Sequence, residues 1–179
     1  MAKHIDTFKS WADTFRPDVA ALKALIESEN ADLEARKLAA AALSYLVTRM
    51  DLIPDWNEGI GVMDDIFVVR VCAQMATAHK LGDLSHDAEV TLGRLANEAD
   101  KILDFLGGDL YDKLRQHCAK LEDVAVRNRT PKNIIEEGAA RLALYAEVEE
   151  ELKRSVPVVV SDPEDAELRL KSYLKQKLQ

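Results

Sequence analysis

The sequence has few of the residues that mark special classes of protein. Its 179 residues include two cysteines, five prolines and seven glycines. Two cysteines cannot build the disulfide framework of a small secreted domain, and so little proline and glycine excludes collagen-like and low-complexity sequence. Hydrophobic residues make up 47% of the chain and charged residues 31%. This balance indicates a folded protein with a sizeable core.

Long apolar segments are also lacking. No stretch approaches the roughly 18 uninterrupted apolar residues of a membrane-spanning helix, and the first residues carry no signal-peptide core. Cys72 and Cys118 each lie on an apolar helical pattern, which indicates small buried hydrophobic residues rather than a redox pair. We therefore expect a cytoplasmic protein without a transmembrane segment.

Positive charge is scarce relative to negative charge. The formal net charge of -8 opposes binding to nucleic acid or to an anionic membrane, because both attractions need clustered lysine and arginine. Arg127, Arg129 and Lys132 form a small basic patch near a helix start, which more often marks a solvated turn than an anion site. Nucleic acid is therefore not an expected partner.

Helical periodicity covers most of the chain. Apolar residues recur every three or four positions, and the pattern predicts an all-α bundle of about eight helices with no significant sheet. The segment 64–81 is apolar on nearly all sides apart from Arg70, Gln74 and its last turn, so we expect a central helix that ends at Gly82. A seventh helix is predicted over 131–154, with Thr130 as its cap.

Two domain-level predictions follow from the pattern. Residues 1–154 form a single helical domain, and residues 155–179 form a linker and a C-terminal helix packed on the bundle. Within the linker, Val156-Pro157-Val158-Val159-Val160 favours an extended backbone, although Pro157 lacks an amide hydrogen.

The most distinctive motif lies in the bend between the third and fourth predicted helices. Asp51-Leu52-Ile53-Pro54-Asp55 is followed by Gly61 and then by Asp64-Asp65. At this spacing, and followed by an apolar helix, these residues resemble the YkvA-like domain of unknown function, over about residues 39–81. The resemblance implies a helical hairpin module, bacterial in most occurrences, with no established reaction. Asn57 and Glu58 depart from its pattern and make this bend more polar.

The four aspartates allow two interpretations. In the first, Asp51, Asp55, Asp64 and Asp65 supply oxygen ligands to Mg²⁺ or Ca²⁺, and the bound metal could polarise a phosphoryl group or activate water. In the second, they bond local backbone amides, with Asp64 or Asp65 capping the central helix. The residues Leu52, Ile53 and Trp56 are expected to close the open end of the hairpin.

Other site patterns are weaker. The histidines, the serines and Gly59-Ile60-Gly61 do not match known metal, nucleophile or phosphate-loop patterns. The run Glu147–Glu151 resembles the carboxylates of helical nucleotide hydrolases, but such runs are usually a solvated helix face. Membrane contact through Trp56 is disfavoured by the polar residues beside it.

The sequence thus favours a non-catalytic interaction or regulatory module. It would act on a protein partner or self-associate through the central helix or through Val156–Val160. The alternative is a divalent-metal-dependent hydrolase or cation-binding protein that uses the acidic bend.

Overall fold

In a computed structural model of the chain, residues 3–48, 52–53, 57 and 59–179 are described. Within these residues the chain forms α-helices and one 3₁₀ turn, Ala12–Thr14, but no β-strand, which confirms the predicted all-α class. The helices are α1 (Ile5–Trp11), α2 (Phe15–Ile26), α3 (Leu33–Leu46), α4 (Met63–Ala76), α5 (His86–Leu106), α6 (Gly108–Leu121), α7 (Pro131–Glu136), α8 (Gly138–Arg154) and α9 (Pro163–Lys177).

Helix α4 occupies the centre of the bundle. Every residue from 63 to 73 is buried, because the helix packs against α1, α3, α5 and α6. An all-round apolar helix must be covered on all sides to remove its surface from water. The expectation of a central helix is met, and this burial leaves α4 without a face on which a second copy of the chain could pack.

Three aromatic side chains join the N-terminal helix to the centre. Phe8 of α1 meets Phe67 of α4 and Phe105 of α5 edge-on, with ring centroids 4.8 and 5.1 Å apart. Edge-to-face packing places the positive ring edge against the negative face of its neighbour. The cluster therefore fixes α1 against both α4 and α5.

Two predicted helix ends are displaced in the structure. Helix α4 ends at Ala76, and Gly82 lies in the following loop rather than capping the helix. Position 82 requires glycine for two reasons. Its φ of +73° lies in the left-handed region, and a Cβ there would lie 2.4 Å from Oγ of Ser28, in the loop that follows α2. The predicted seventh helix is divided at Glu137, whose extended backbone (φ -116°, ψ 110°) separates α7 from α8. The predicted cap at Thr130 is present, as its side chain accepts a hydrogen bond from the amide of Asn133.

Helix α9 returns to the N-terminal end of the bundle. Glu167 Oε2 accepts hydrogen bonds from the backbone amides of His4 and Ile5, both at 3.1 Å. These amides are at the start of α1, where negative charge is favourable. Tyr173 donates a hydrogen bond of 3.2 Å to Asn57 in the bend. The last helix thus contacts both α1 and the bend.

Candidate functional site at the acidic bend

The buried carboxylate of Asp64 joins the two sides of the bend. Its Oδ2 accepts a 2.7 Å hydrogen bond from the hydroxyl of Tyr45 on α3 and a 3.3 Å bond from the amide of Ile53. The Tyr45 oxygen in turn accepts the amide of Leu52 at 2.9 Å. Two amides of the bend are therefore satisfied by one tyrosine and one aspartate, inside a core where unpaired amides are costly.

Tyr45 acts here as a neutral donor. Burial and the adjacent Asp64 carboxylate raise the pKa of Tyr45 far above its ordinary value. A phenol that does not ionise near neutral pH cannot act as a general base in that range. The pair is therefore suited to holding the bend closed, and Asp64 performs this task from the first turn of α4 without capping that helix, whose N-cap position is Val62.

Asp65 follows Asp64 in the first turn of α4 and borders a cavity of about 500 Å³. The cavity lies between the start of α2, the end of α8 and the segment that follows α8. Most of the groups that line it are apolar. Its charged lining residues are Asp13, Arg16, Asp65, Glu151 and Arg154. Arg16 and Arg154 are exposed and bind Glu149 and Glu151 at 3.2 and 3.6 Å, so both cations at the cavity rim are already paired.

The predicted site residues are only in part described by the structure. Asp51, Asp55, Pro54 and Trp56 lie outside the described residues. Leu52 and Ile53 are buried, as is Gly61, whose amide donates a 2.8 Å hydrogen bond to the carbonyl of Asn57. Among the residues that are described, no group of three or more histidine, cysteine, aspartate or glutamate side chains is arranged to hold a metal ion. The cation site thus stays a prediction.

A buried charge cluster around Arg70 was not found from the sequence. The guanidinium is fully buried on α4 and lies 4.3 Å from the ring centre of Trp11. It donates to Glu98 of α5 at 3.1 Å and lies 3.6 Å from the carboxylate of Asp18 on α2. A charged residue at position 70 within an apolar segment is visible in the sequence. Its partners Asp18 and Glu98 are not, because they lie 52 and 28 residues away along the chain.

Arg94 completes this cluster and balances its charge. It donates to Glu98 at 3.0 Å and forms a short ion pair with Asp18. Two arginines therefore face two carboxylates, which offsets the desolvation of each charge. Burial lowers the pKa of Arg70 to about 10, against the opposing effect of Glu98 and Asp18, so the residue stays charged at neutral pH. We assign the cluster to holding α2, α4 and α5 together.

The glutamate run on α8 is distributed among cations. Glu147 binds Arg127 at 2.8 Å and receives two hydrogen bonds from Arg129, of 2.8 and 2.5 Å. The other three glutamates of the run also have cationic partners. The pairs are Glu149 with Arg16, Glu150 with Lys153, and Glu151 with Arg154. The carboxylates therefore do not converge on one point as those of a hydrolase would. The same contacts pair Arg127 and Arg129 of the predicted basic patch.

The segment 155–162, which we call the strap, differs from these paired regions. It runs without a turn or bend from residue 155 to residue 160, and its terminal residues Ser155 and Asp162 have extended backbone. Val156 is 78% exposed and Val159 is 64% exposed. The backbone groups of residues 156–161 form no hydrogen bond with the described part of the chain.

Comparison with known proteins locates one relationship. Residues 35–70 match the sequence model of a family described as "Protein of unknown function (DUF1232)". No curated protein and no solved structure gives a significant match. Among the described residues, no helix has the length and apolar character needed to cross a membrane. The matched segment covers most of α3, the bend and the first part of α4, and contains Tyr45, Asp64 and Asp65. This match is consistent with the resemblance to the YkvA-like domain of unknown function that the sequence predicted.

Proposed function

We propose that this chain is a non-catalytic interaction module that binds an extended segment of a partner protein along the strap. The backbone of residues 156–161, which forms no hydrogen bond with the described residues, is the observation that carries this proposal. An extended segment with unpaired amides and carbonyls can add a neighbouring strand, whose backbone supplies the missing bonds. Four of the strap's residues are valines, which favour extended pairing.

The orientation of the strap supports binding on its outer edge. An ideal Cβ at Gly59 would lie 3.0 Å from the carbonyl oxygen of Val159, so this carbonyl lies close to the bend. Backbone groups of successive residues in an extended chain point to opposite edges, which directs those of Val158 and Val160 away from the bend. Pro157 shares the inner edge with Val159. The missing amide hydrogen of the proline therefore does not interrupt the outer edge.

The bend supports a structural rather than a chemical role for the family segment. Asp64 is buried and its Oδ2 holds Tyr45 and the Ile53 amide, while the Arg70 cluster joins α4 to its neighbours. These contacts hold the bend and α4 within the bundle, and Gly59 of the bend lies next to Val159 of the strap. In this proposal the family segment is the scaffold, and the strap is the surface that binds.

A library of displayed, extended peptides tests the proposal. Peptides selected on the whole protein should be rich in β-branched residues, because these residues fit a paired strand. Val158→Pro removes an outer-edge amide hydrogen and should weaken binding of a selected peptide about tenfold or more, measured by fluorescence anisotropy. Val159→Pro is the matched control, since it removes an inner-edge amide hydrogen, and should leave the affinity within about twofold.

Two results would contradict strand addition. The first is a library that yields no binder. The second is a set of binders that Val158→Pro and Val159→Pro affect equally. Far-ultraviolet circular dichroism of both variants checks that the helices remain, because the strap lies outside them.

A further inference from the structure

We infer that a second copy of this chain fits the outer edge of the strap, with the two straps antiparallel. This inference rests on the strand addition proposed above and names the partner. The strap and its flanks read almost alike in both directions. The sequence is Arg154-Ser155-Val156-Pro157-Val158-Val159-Val160-Ser161-Asp162, with Val158 at its centre.

The backbone permits this self-pairing. With Val158 opposite Val158 of the other copy, Val156 lies opposite Val160 and Ser155 opposite Ser161. Residues 156, 158 and 160 share the outer edge, so each pairs through its own amide and carbonyl. Pro157 points to the inner edge in both copies. The register therefore uses every outer-edge group and meets no proline.

The flanking charges favour the antiparallel direction. Lys153 and Arg154 precede the valines, whereas Asp162, Glu164 and Asp165 follow them. Antiparallel pairing brings Arg154 beside Asp162 of the other copy at both ends of the interface. Parallel pairing would instead place like charges together, which is unfavourable. Arg154 has 60% of its side chain exposed, and its 3.6 Å pair with Glu151 on the same helix is a weak surface contact that it can exchange for Asp162 of the other copy.

The exposed valines provide the apolar part of the contact. Val156 and Val159 are among the most exposed large hydrophobic residues of the described chain. Pairing would cover Val156 with Val160 of the other copy, and burial of apolar surface stabilises association. The contact is short, so we expect a weak dimer, in the micromolar to millimolar range, rather than a permanent one.

Engineered cysteines test the register. Val158→Cys places two thiols across the twofold axis, where opposed residues lie within disulfide reach. Diamide, which takes up the two electrons and two protons as the S–S bond forms, should give a covalent dimer in high yield. Val156→Cys is the matched control. The substituted positions of the two copies would lie about 13 Å apart, so this variant should form no disulfide-linked dimer. The double variant Val156→Cys/Val160→Cys should restore the cross-link. The native Cys72 and Cys118 are fully buried in the core.

Sedimentation equilibrium of the unmodified chain gives the second measurement. The mean mass should rise from that of a monomer toward that of a dimer with concentration, and Val158→Pro should abolish this rise. Arg154→Gln and Asp162→Asn should each weaken the dimer about 2-fold to 30-fold, since each removes two exposed ion pairs. Asparagine is chosen at position 162 because it retains the cap of α9.

The outcomes separate this inference from the proposed function. A chain that stays monomeric at all concentrations, or that cross-links equally through Val156→Cys and Val158→Cys, overturns the antiparallel dimer. If such a chain still binds selected peptides in a manner sensitive to Val158→Pro, the strap binds another protein and the proposed function stands. If peptide binding fails as well, both are wrong.

Discussion

The bend and the strap are neighbours that treat their backbone polar groups in opposite ways. In the bend, Tyr45 and Asp64 supply partners to the amides of Leu52 and Ile53 within a buried core. In the strap, residues 156–161 have no hydrogen bond to the described chain and two valines are exposed. The difference shows that the strap, and not the bend, has backbone amides and carbonyls available for new hydrogen bonds. A segment whose polar groups are already paired serves stability, whereas one whose groups are unpaired can bind another chain.

Among the substitutions in the paired core, removal of Arg70 should lower the free energy of unfolding most. Arg70→Met leaves the buried carboxylate of Asp18 without one of its two cations, and loss of one partner from a buried charge cluster costs about 3–5 kcal/mol. Urea unfolding followed by circular dichroism measures the loss. Arg16→Met, which removes an exposed pair with Glu149, is the control and should cost less than about 1 kcal/mol. Equal losses would contradict a structural role for the cluster.

Asp64 gives the next largest effect and separates structure from chemistry. Asp64→Ala removes the acceptor of both the Tyr45 hydroxyl and the Ile53 amide, which should cost about 2–3 kcal/mol in urea unfolding. Asp64→Asn keeps a carbonyl oxygen that can accept both bonds and should cost less. Asn as damaging as Ala would indicate that the negative charge itself matters at this position.

Tyr45 provides an independent check on the same contact. Tyr45→Phe removes the donor to Asp64 and the acceptor of the Leu52 amide while keeping the aromatic ring. A buried amide left unsatisfied should lower the free energy of unfolding by about 1–3 kcal/mol. The double variant Tyr45→Phe/Asp64→Ala should lose less unfolding free energy than the sum of the two single variants, because each single substitution already removes the Tyr45–Asp64 hydrogen bond. Additive losses would show that the two residues act separately.

Glu122 should give a smaller, pH-dependent effect at the surface. Burial and the neighbouring Glu34 carboxyl group raise the pKa of Glu122 to about 7. The folded chain therefore holds this proton more tightly than the unfolded chain, so its contribution is complete below the ordinary glutamate pKa and is lost as pH rises toward 7. Glu122→Gln should remove this dependence and stabilise the chain above pH 7 by about 1 kcal/mol, since partial exposure screens the repulsion.

A pH series of urea unfolding measures this effect. Glu136→Gln on the exposed side of α7 is the matched control for loss of a carboxylate. The expectation fails if the difference in unfolding free energy between Glu122→Gln and the parent chain is the same at pH 5 and pH 8.

Divalent cations should have the smallest effect. If the bend is a scaffold, Mg²⁺, Ca²⁺ and EDTA should leave the melting temperature unchanged within about 1 °C, because a ligand stabilises only a state that it binds. Calorimetric titration with Mg²⁺ and Ca²⁺ is the direct measurement. A stoichiometric ion bound below about millimolar, and lost in Asp55→Asn, would favour the alternative function of the acidic bend.

Much of the fold was predictable because its signals are local. The helical periodicity indicated an all-α chain, and the apolar segment after the bend indicated the buried helix α4. Helix ends were less predictable. Gly82 resembles a helix cap, but the requirement for glycine there comes from the approach of Ser28 and Ala31, residues more than fifty positions earlier. The division at Glu137 also lacked a strong local signal.

The candidate site was predictable only in part, for the same reason. The motif around Asp64 could be recognised, yet its partner Tyr45 is separated from it by 19 positions and lies on another helix. The run of valines predicted an extended linker, but exposure and unpaired backbone groups are properties of the folded chain. The near-palindrome from Arg154 to Asp162 was present in the sequence. Its meaning depended on knowing that the segment lies outside the helices and that its backbone has no hydrogen-bond partner among the described residues.

The sequence alone determined the helical class, the central position of α4 and the location of the bend, because backbone propensity and apolar periodicity act over a few neighbouring residues. Only the tertiary structure decided which charges pair and which backbone groups remain available. Arg70 meets Asp18 and Glu98 across the core, while the strap meets no backbone partner among the described residues. Such pairings depend on distances between elements that are remote in sequence, and packing sets these distances.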